Sequence, residues 1–248
     1  MSTGVAHRIV DKAIEAHGGA DRWNNLEALD ADISAWGLLF TSKQRPVLNH
    51  VRVCASTRVP HLTFFDFPRF GQRSELIGRE EVRIFGGDEK VIARRADPRS
   101  AFRGPRRWFR WDSLDFVYFG GYALWNYLVT PFLFLRDGFQ FEMLEPIGNG
   151  DPAWVRLRAT FPDDIPTHCR EQTFYFDEHH LLRRLDYTAE VVGAWAHAAH
   201  SCENYMEFDG IKAPTRRRVR PMPWGSRPLP GPTLVALEIH SIRPKRVS

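Results

Sequence analysis

Between residues 5 and 17 the apolar positions Val5, Ile9, Val10, Ala13, Ile14 and Ala16 recur at a helical period and form one oily stripe. Gly18-Gly19 follow as a helix stop, and "ADRWNNL" reads as a short second turn. From Glu27 the period changes to two. Leu29, Ala31, Ile33, Ala35 and Gly37 share one face of a strand, while Asp30, Asp32 and Ser34 share the other. Strand-like runs continue at 47–56, 61–67, 73–85 and 90–95, with Gly86-Gly87-Asp88 as a tight hairpin between the last two. They resume at 139–146, 154–161, 170–176, 181–191, 197–208, 211–220 and 234–243. The turn signals "IGNGDP", "FPDDIP", "FDEHH", "FDGIKAP" and "WGSRPLPGP" separate these later runs. Connections this short predict an antiparallel meander, because parallel strands need long crossovers.

Between the two sets of strands lies "FVYFGGYALWNYLVTPFLFL", residues 116–135, without a charge. Its length suits a bilayer-crossing helix. One crossing would, however, put the two halves of a sheet on opposite sides of a membrane. Asp112 is a fair N-cap with Asp115 three residues on as its capping-box partner, and Pro131 ends or kinks the helix near Thr130. The segment is therefore expected to be a buried helical insertion at about 112–136 that plugs a curled sheet. An edge that touches a membrane transiently is the alternative.

The expected fold is mainly β with helical cover: one domain over residues 1–248, a curled antiparallel unclosed barrel of about 11–12 strands. A meander that long must curl, close or split. The N-terminal helix and the apolar insertion would cover its concave face. Eighteen Phe and eight Trp fit an aromatic-lined pocket there.

Charge changes this picture little. The formal net charge is +4, and only five of the 34 basic residues are lysines. "RGPRRWFRW" and "TRRRVRP" mix arginine with aromatic or proline residues, yet 30 acidic residues are interspersed with no long single-sign block, so nucleic-acid binding is not expected. No apolar segment follows Met1, and Cys54, Cys169 and Cys202 lie far apart; both features predict a cytoplasmic protein with reduced thiols. No dinucleotide fingerprint, phosphate loop, nucleophile elbow or zinc motif is present, so no cofactor and no metal site are expected.

The candidate site residues come from strand parity. Arg217 shares its face with Ile211, Ala213, Thr215 and Val219, where an unpaired charge is expensive. It fits either an anchor for a ligand's anion or carbonyl, or a structural pair with an acidic neighbour. His200 shares a face with Ala198, Cys202, Asn204 and Met206, opposite His197, so the two histidines do not chelate one ion on a strand. His200 fits a general acid–base or a hydrogen-bonded wall residue, and Asn204 a group that positions a polar part of a ligand. Tyr187 points inward with Leu185, its hydroxyl bound to a ligand or to a backbone carbonyl. On the insertion, Trp125 and Tyr127 are the residues expected to face a ligand.

The segments "IEAHGGADRWNNLEALDADISAWGLLF", "TFYFDEHHLLRRLDY", "YMEFDGIKAPTRRRV" and "LVALEIHSI" succeed one another as in the LolA/LolB-type lipoprotein-carrier superfamily, which the chain resembles over nearly its whole length. The resemblance implies an unclosed barrel of roughly eleven strands with a hydrophobic cavity on its concave face. An enzyme of violacein biosynthesis in the same superfold handles an aromatic intermediate there without a cofactor. Two functions are therefore expected: binding of a hydrophobic or aromatic small molecule or lipid, or cofactor-independent catalysis on an aromatic or polyketide-like intermediate, with Arg217, His200 and Tyr187 as the catalytic groups.

Overall fold

A computed structural model describes residues 2–145, 154–223 and 227–247. The apolar stripe and the turn after it form α1 (Ser2–His17) and α2 (Ala20–Asn24). Then come β1 (Leu26–Trp36), a short α3 (Leu38–Ser42), and strands β2 (Leu48–Ser56), β3 (His61–Phe65), β4 (Arg73–Ile77), β5 (Glu81–Phe85) and β6 (Val91–Ala96). A 3-10 turn at Pro98–Phe102 leads into α4 (Arg106–Phe109) and α5 (Ser113–Val129), and a second one spans Phe132–Leu135. The second half contributes β7 (Gln140–Leu144), β8 (Val155–Thr160), β9 (Glu171–Phe176), β10 (Leu182–Thr188), β11 (His197–Phe208), β12 (Ile211–Pro221) and β13 (Val235–Arg246).

All thirteen strands form one antiparallel sheet in the order β6-β5-β4-β3-β2-β1-β13-β12-β11-β10-β9-β8-β7. The sheet does not close: its edges are β6 and β7, which are successive in sequence. The chain between them, including α5, must therefore cross from one edge of the sheet to the other. That route explains why the insertion is apolar all round. At about 1.5 Å per residue its helix reaches roughly 26 Å, and it packs on β2 to β6 while nearly every side chain is buried. Helix α1 covers the other half, against β7 and β12.

The ends of α5 follow their sequence signals. Asp112 Oδ1 accepts from the Asp115 N–H at 2.8 Å, and Asp115 Oδ2 accepts from the Asp112 N–H at 2.9 Å. Arg95 ties both carboxylates to edge strand β6 at 2.7 and 2.6 Å. The helix stops before Pro131. No helix among the described residues is long and apolar enough to cross a membrane. Gly121 permits the close approach, because a Cβ there would lie 2.9 Å from Leu76 Cβ on β4.

Parity holds along stretches that carry no extra residue themselves. Leu29, Ala31, Ile33 and Ala35 are buried, and so are Ile211, Arg217 and Val219. It fails at irregularities. The run 73–85 is two strands that reverse at Gly78, whose φ is +52°. In β10 the register shifts between Leu182 and Arg184, so Leu182 turns inward and Arg183 instead pairs with Asp177 at 2.6 Å. The expected strand 181–191 ends at Thr188. Pro146, the turn "IGNGDP" and residues 224–226 lie outside the described residues.

Candidate functional site

The space left between α5 and the centre of the sheet is a cavity of about 760 Å³. Strand residues Ala35, Leu48, Val219 and Leu237 form its floor, and Phe116, Phe119, Ala123 and Leu124 of α5 its roof. At its mouth stand Leu38, Trp108 and Trp195, all exposed to solvent. Gly37 makes the turn from β1 into α3 that forms one lip: its φ is +133°, and a Cβ would meet Leu234 O at 2.5 Å.

Apart from His197, the titratable groups of this apolar wall occupy two places. Lys43 and Arg45 lie on the α3 side. The Lys43 ammonium donates to Trp108 O at 3.0 Å and lies 5.5 Å from the centre of the Trp111 ring. Burial lowers the pKa of both residues. The second place is a cluster of Tyr127, His168 and Tyr187, all lining the cavity. His168 Nε2 is 2.8 Å from the Tyr127 hydroxyl, which is 3.1 Å from the Tyr187 hydroxyl. His168 Nδ1 is 3.2 Å from the hydroxyl of Tyr122, and its ring stacks on Tyr187 with centroids 4.0 Å apart. Burial, aided by the Arg99 guanidinium, pushes the His168 pKa down to about 3. Desolvation raises Tyr122, Tyr127 and Tyr187 above the usual phenol value. At neutral pH the cluster therefore holds one neutral imidazole and three protonated phenols.

Proton counting orients the chain. If Tyr122 donates to Nδ1, then Nε2–H donates to Tyr127, Tyr127 donates to Tyr187, and the Tyr187 proton is left for a ligand. The opposite tautomer leaves the Tyr122 proton buried with no acceptor among the described residues, at a cost of about 1–3 kcal/mol.

Of the six residues singled out by the sequence, Tyr127 and Tyr187 line the cavity. Arg217 and His200 form the layer directly behind Tyr127. The Arg217 guanidinium donates to Tyr127 O at 2.6 Å and to Cys202 Sγ at 3.2 Å. The thiol accepts in its neutral form, since burial raises its pKa. His200 lies edge-on to the Tyr127 ring at 4.4 Å and is held neutral by burial. Neither His200 nitrogen has a hydrogen-bond partner among the described residues. Trp125 faces away from the cavity: its indole N–H donates to Ser56 O at 2.8 Å, beside a separate depression of about 160 Å³. Asn204 is exposed on β11, where its φ of +53° interrupts the alternation. His197 lines the cavity and bonds Thr188 Oγ1 at 2.8 Å.

His168 is the functional candidate that strand parity misses, because it lies in the loop before β9. Arg99 anchors that loop by donating to Thr167 O at 2.9 Å and His168 O at 3.3 Å, and it pairs with Glu190 at 2.6 Å.

No family model matches the chain, and no curated protein matches it in sequence. Solved structures do match in shape. A LolA superfamily protein from Nitrosomonas europaea superposes with a TM-score of 0.54 at 13% identity, covering 98% of this chain and 94% of that one. A domain from Vibrio parahaemolyticus assigned to outer membrane lipoprotein sorting gives 0.54 at 12% identity, with 98% and 93% covered. A DUF1329 family protein from Desulfovibrio piger gives 0.52 at 13% identity, with 96% and 92% covered. The fold is LolA-like.

Proposed function

We propose that the protein binds an apolar or aromatic small molecule, or a lipid, in the cavity under α5. One observation carries this reading: a volume of about 760 Å³ walled by aliphatic and aromatic side chains, with a few convergent polar groups. Sites of this size and lining suit ligands of drug or lipid size. The likeness to a lipoprotein-sorting domain supports the same reading. The ligand's body would lie along Phe116, Ala123 and Leu237. An acceptor atom would meet the Tyr187 hydroxyl, and an anionic group would lie towards Lys43 and Arg45.

Binding is preferred to the cofactor-independent catalytic alternative on electrostatic grounds. Burial holds His168 and His200 neutral and the tyrosines protonated, which suits fixed hydrogen-bond donors better than proton transfer near pH 7. Exposed Leu38, Trp108 and Trp195 at the mouth suit transient contact with a membrane or another carrier during transfer. The three unpaired cysteines fit a reducing compartment such as the cytoplasm.

The test is ligand capture. Native mass spectrometry of gently purified protein is expected to show a bound apolar molecule, and a naphthalene-sulfonate dye should be displaced by fatty acid or a polycyclic aromatic. Ala123→Trp, which fills the cavity from its roof, should lower dye affinity at least tenfold without unfolding the protein. Equal dye binding by both proteins would place the ligand elsewhere.

A further inference from the structure

On the opposite, convex face of the sheet, the three adjacent strands β2, β1 and β13 bring together His50, Asp32 and His240. One donor atom from each lies within 4.8 Å of the others. His50 Nδ1 is 3.0 Å from Asp32 Oδ2. Two ligands about 2.1 Å from a shared zinc ion, at octahedral to tetrahedral angles, stand roughly 3.0–3.4 Å apart. The existing pair therefore already has ligand-to-ligand spacing. The His240 ring lies 4.1 Å from that of His50.

The backbone is irregular at both histidines. In the β1–β13 ladder, Asp32 pairs with Ser241 and Ile33 with Ile239, so His240 is the extra residue of a bulge. In the β1–β2 ladder, Ile33 pairs with Val51 and Ala35 with Leu48, so Asn49 and His50 together oppose Ser34. His50 takes the left-handed conformation there, with φ +48°. Bulges re-aim side chains and gather at functional sites, and left-handed non-glycine residues carry strain of about 1–3 kcal/mol. Two separate irregularities aim both histidines at the same carboxylate.

The supporting contacts fit ligation too. Ser34 Oγ is 2.9 Å from His240 Nε2 and accepts from the His50 backbone N–H at 3.0 Å. A hydroxyl oxygen has two acceptor sites, so it can also take the Nε2 proton and leave His240 Nδ1 free to bind metal, as second-layer partners of metal-binding histidines do. Asp32 Oδ1 is buried and has no hydrogen-bond partner among the described residues.

We propose that Asp32, His50 and His240 form a binding site for a late first-row divalent cation, Zn²⁺ foremost. Two imidazoles and one carboxylate suit that ion, and water completes its shell. The site is independent of the cavity's ligand. It lies on the outer side of the same strands whose inner faces contribute Ala35, Leu48 and Leu237 to the cavity floor.

The test is calorimetric titration of the full-length protein, stripped with a chelator, using zinc chloride. One equivalent is expected to bind with micromolar or tighter affinity and to raise the thermal midpoint. His50→Ala and His240→Ala should each weaken binding at least tenfold, and His50→Ala/His240→Ala should abolish it. Both histidines are exposed, so the variants should keep the wild-type circular dichroism and metal-free midpoint. Cobalt(II) should give visible d–d absorption that the double variant lacks. Absence of saturable binding, or equal binding by the double variant, overturns the assignment.

Discussion

Arg217 donates to the carbonyl oxygen of Tyr127 at 2.6 Å, and its guanidinium lies 5.3 Å from the centre of that residue's ring. Arg217 is only 2% exposed, and no carboxylate lies within ion-pair distance of it among the described residues. The acidic neighbour that the sequence left open as its partner is thus replaced by a carbonyl, a thiol and an aromatic face. The arginine secures the residue that carries the cavity's central hydroxyl.

Volume and charge at Arg217 can be separated. Arg217→Ala leaves a large void and an orphaned carbonyl, and should cost about 3 kcal/mol. Arg217→Met keeps most of the volume. It loses a charge-assisted bond of about 1.5–3 kcal/mol, but also removes a guanidinium whose burial costs several kcal/mol. Its stability should lie within about 1 kcal/mol of the wild type. Urea unfolding with unchanged m-values measures both; a Met variant as unstable as the Ala variant would show that the charge itself is required.

Buried histidines, His17 and His168 among them, make stability depend on pH. Burial lowers the pKa of His17 to about 4 and of His168 to about 3. Both values lie below the ordinary 6.5, so the unfolded chain binds these protons first. The stabilisation is complete above pH 6.5 and is lost as pH falls towards 3–4. Each group contributes a slope of about 1.4 kcal/mol per pH unit in that window. His168→Gln should flatten the dependence between pH 6 and pH 4 by that amount, besides lowering stability at pH 7. A slope unchanged by the substitution would mean that His168 takes up its proton in the folded protein.

The regular parts of this architecture are legible in the sequence because period-two alternation survives along stretches that carry no extra residue themselves, even where a partner strand bulges. Leu29 to Ala35 and Ile211 to Val219 are examples. Parity fails at Arg183 and Asn204, where a register shift and a left-handed residue reset the alternation. Nothing in a local pattern announces either. His168 escapes for another reason: a loop residue has no periodicity from which to infer its facing. A signal for it does exist in α5. Tyr118, Tyr122 and Tyr127 in the uncharged stretch of this helix imply buried hydroxyls, and buried hydroxyls need polar partners. The bulges that aim His50 and His240 at Asp32 also become visible only once the strands are paired.

Tyr127 and Tyr187 should respond differently to loss of their hydroxyls. Tyr127 links His168 to Tyr187, so Tyr127→Phe strands groups on both sides and should cost about 2–3 kcal/mol. Tyr187 ends the chain, so Tyr187→Phe leaves only the Tyr127 proton without its acceptor and should cost about 1–2 kcal/mol, less than Tyr127→Phe. Its effect should appear in binding: about tenfold weaker affinity for ligands bearing a carbonyl or hydroxyl acceptor, and none for a plain hydrocarbon. Denaturation and dye displacement on the same samples separate the two. Equal losses of stability would show that the donors do not run towards Tyr187.

Gly120 and Gly121 are neighbours in α5, yet alanine should act with opposite sign at each. In a helix, Gly→Ala gains about 1 kcal/mol from backbone entropy. At Gly120 the added Cβ would meet Phe116 and Phe64 at 3.5 Å, ordinary contact distances, so that gain should survive in part. At Gly121 it would lie 2.9 Å from Leu76 Cβ, an atom fixed to the backbone of β4 that cannot rotate away. Forced overlap in a packed core costs about 1–3 kcal/mol and outweighs the propensity gain. Gly121→Ala should therefore lower the thermal midpoint, while Gly120→Ala leaves it unchanged or higher. Adding Leu76→Ala cannot relieve the clash, since the Cβ remains, so the double variant should be less stable than either single one. A stabilising Gly121→Ala would mean that α5 is free to lift off β4 and that the roof of the cavity is not fixed at this point.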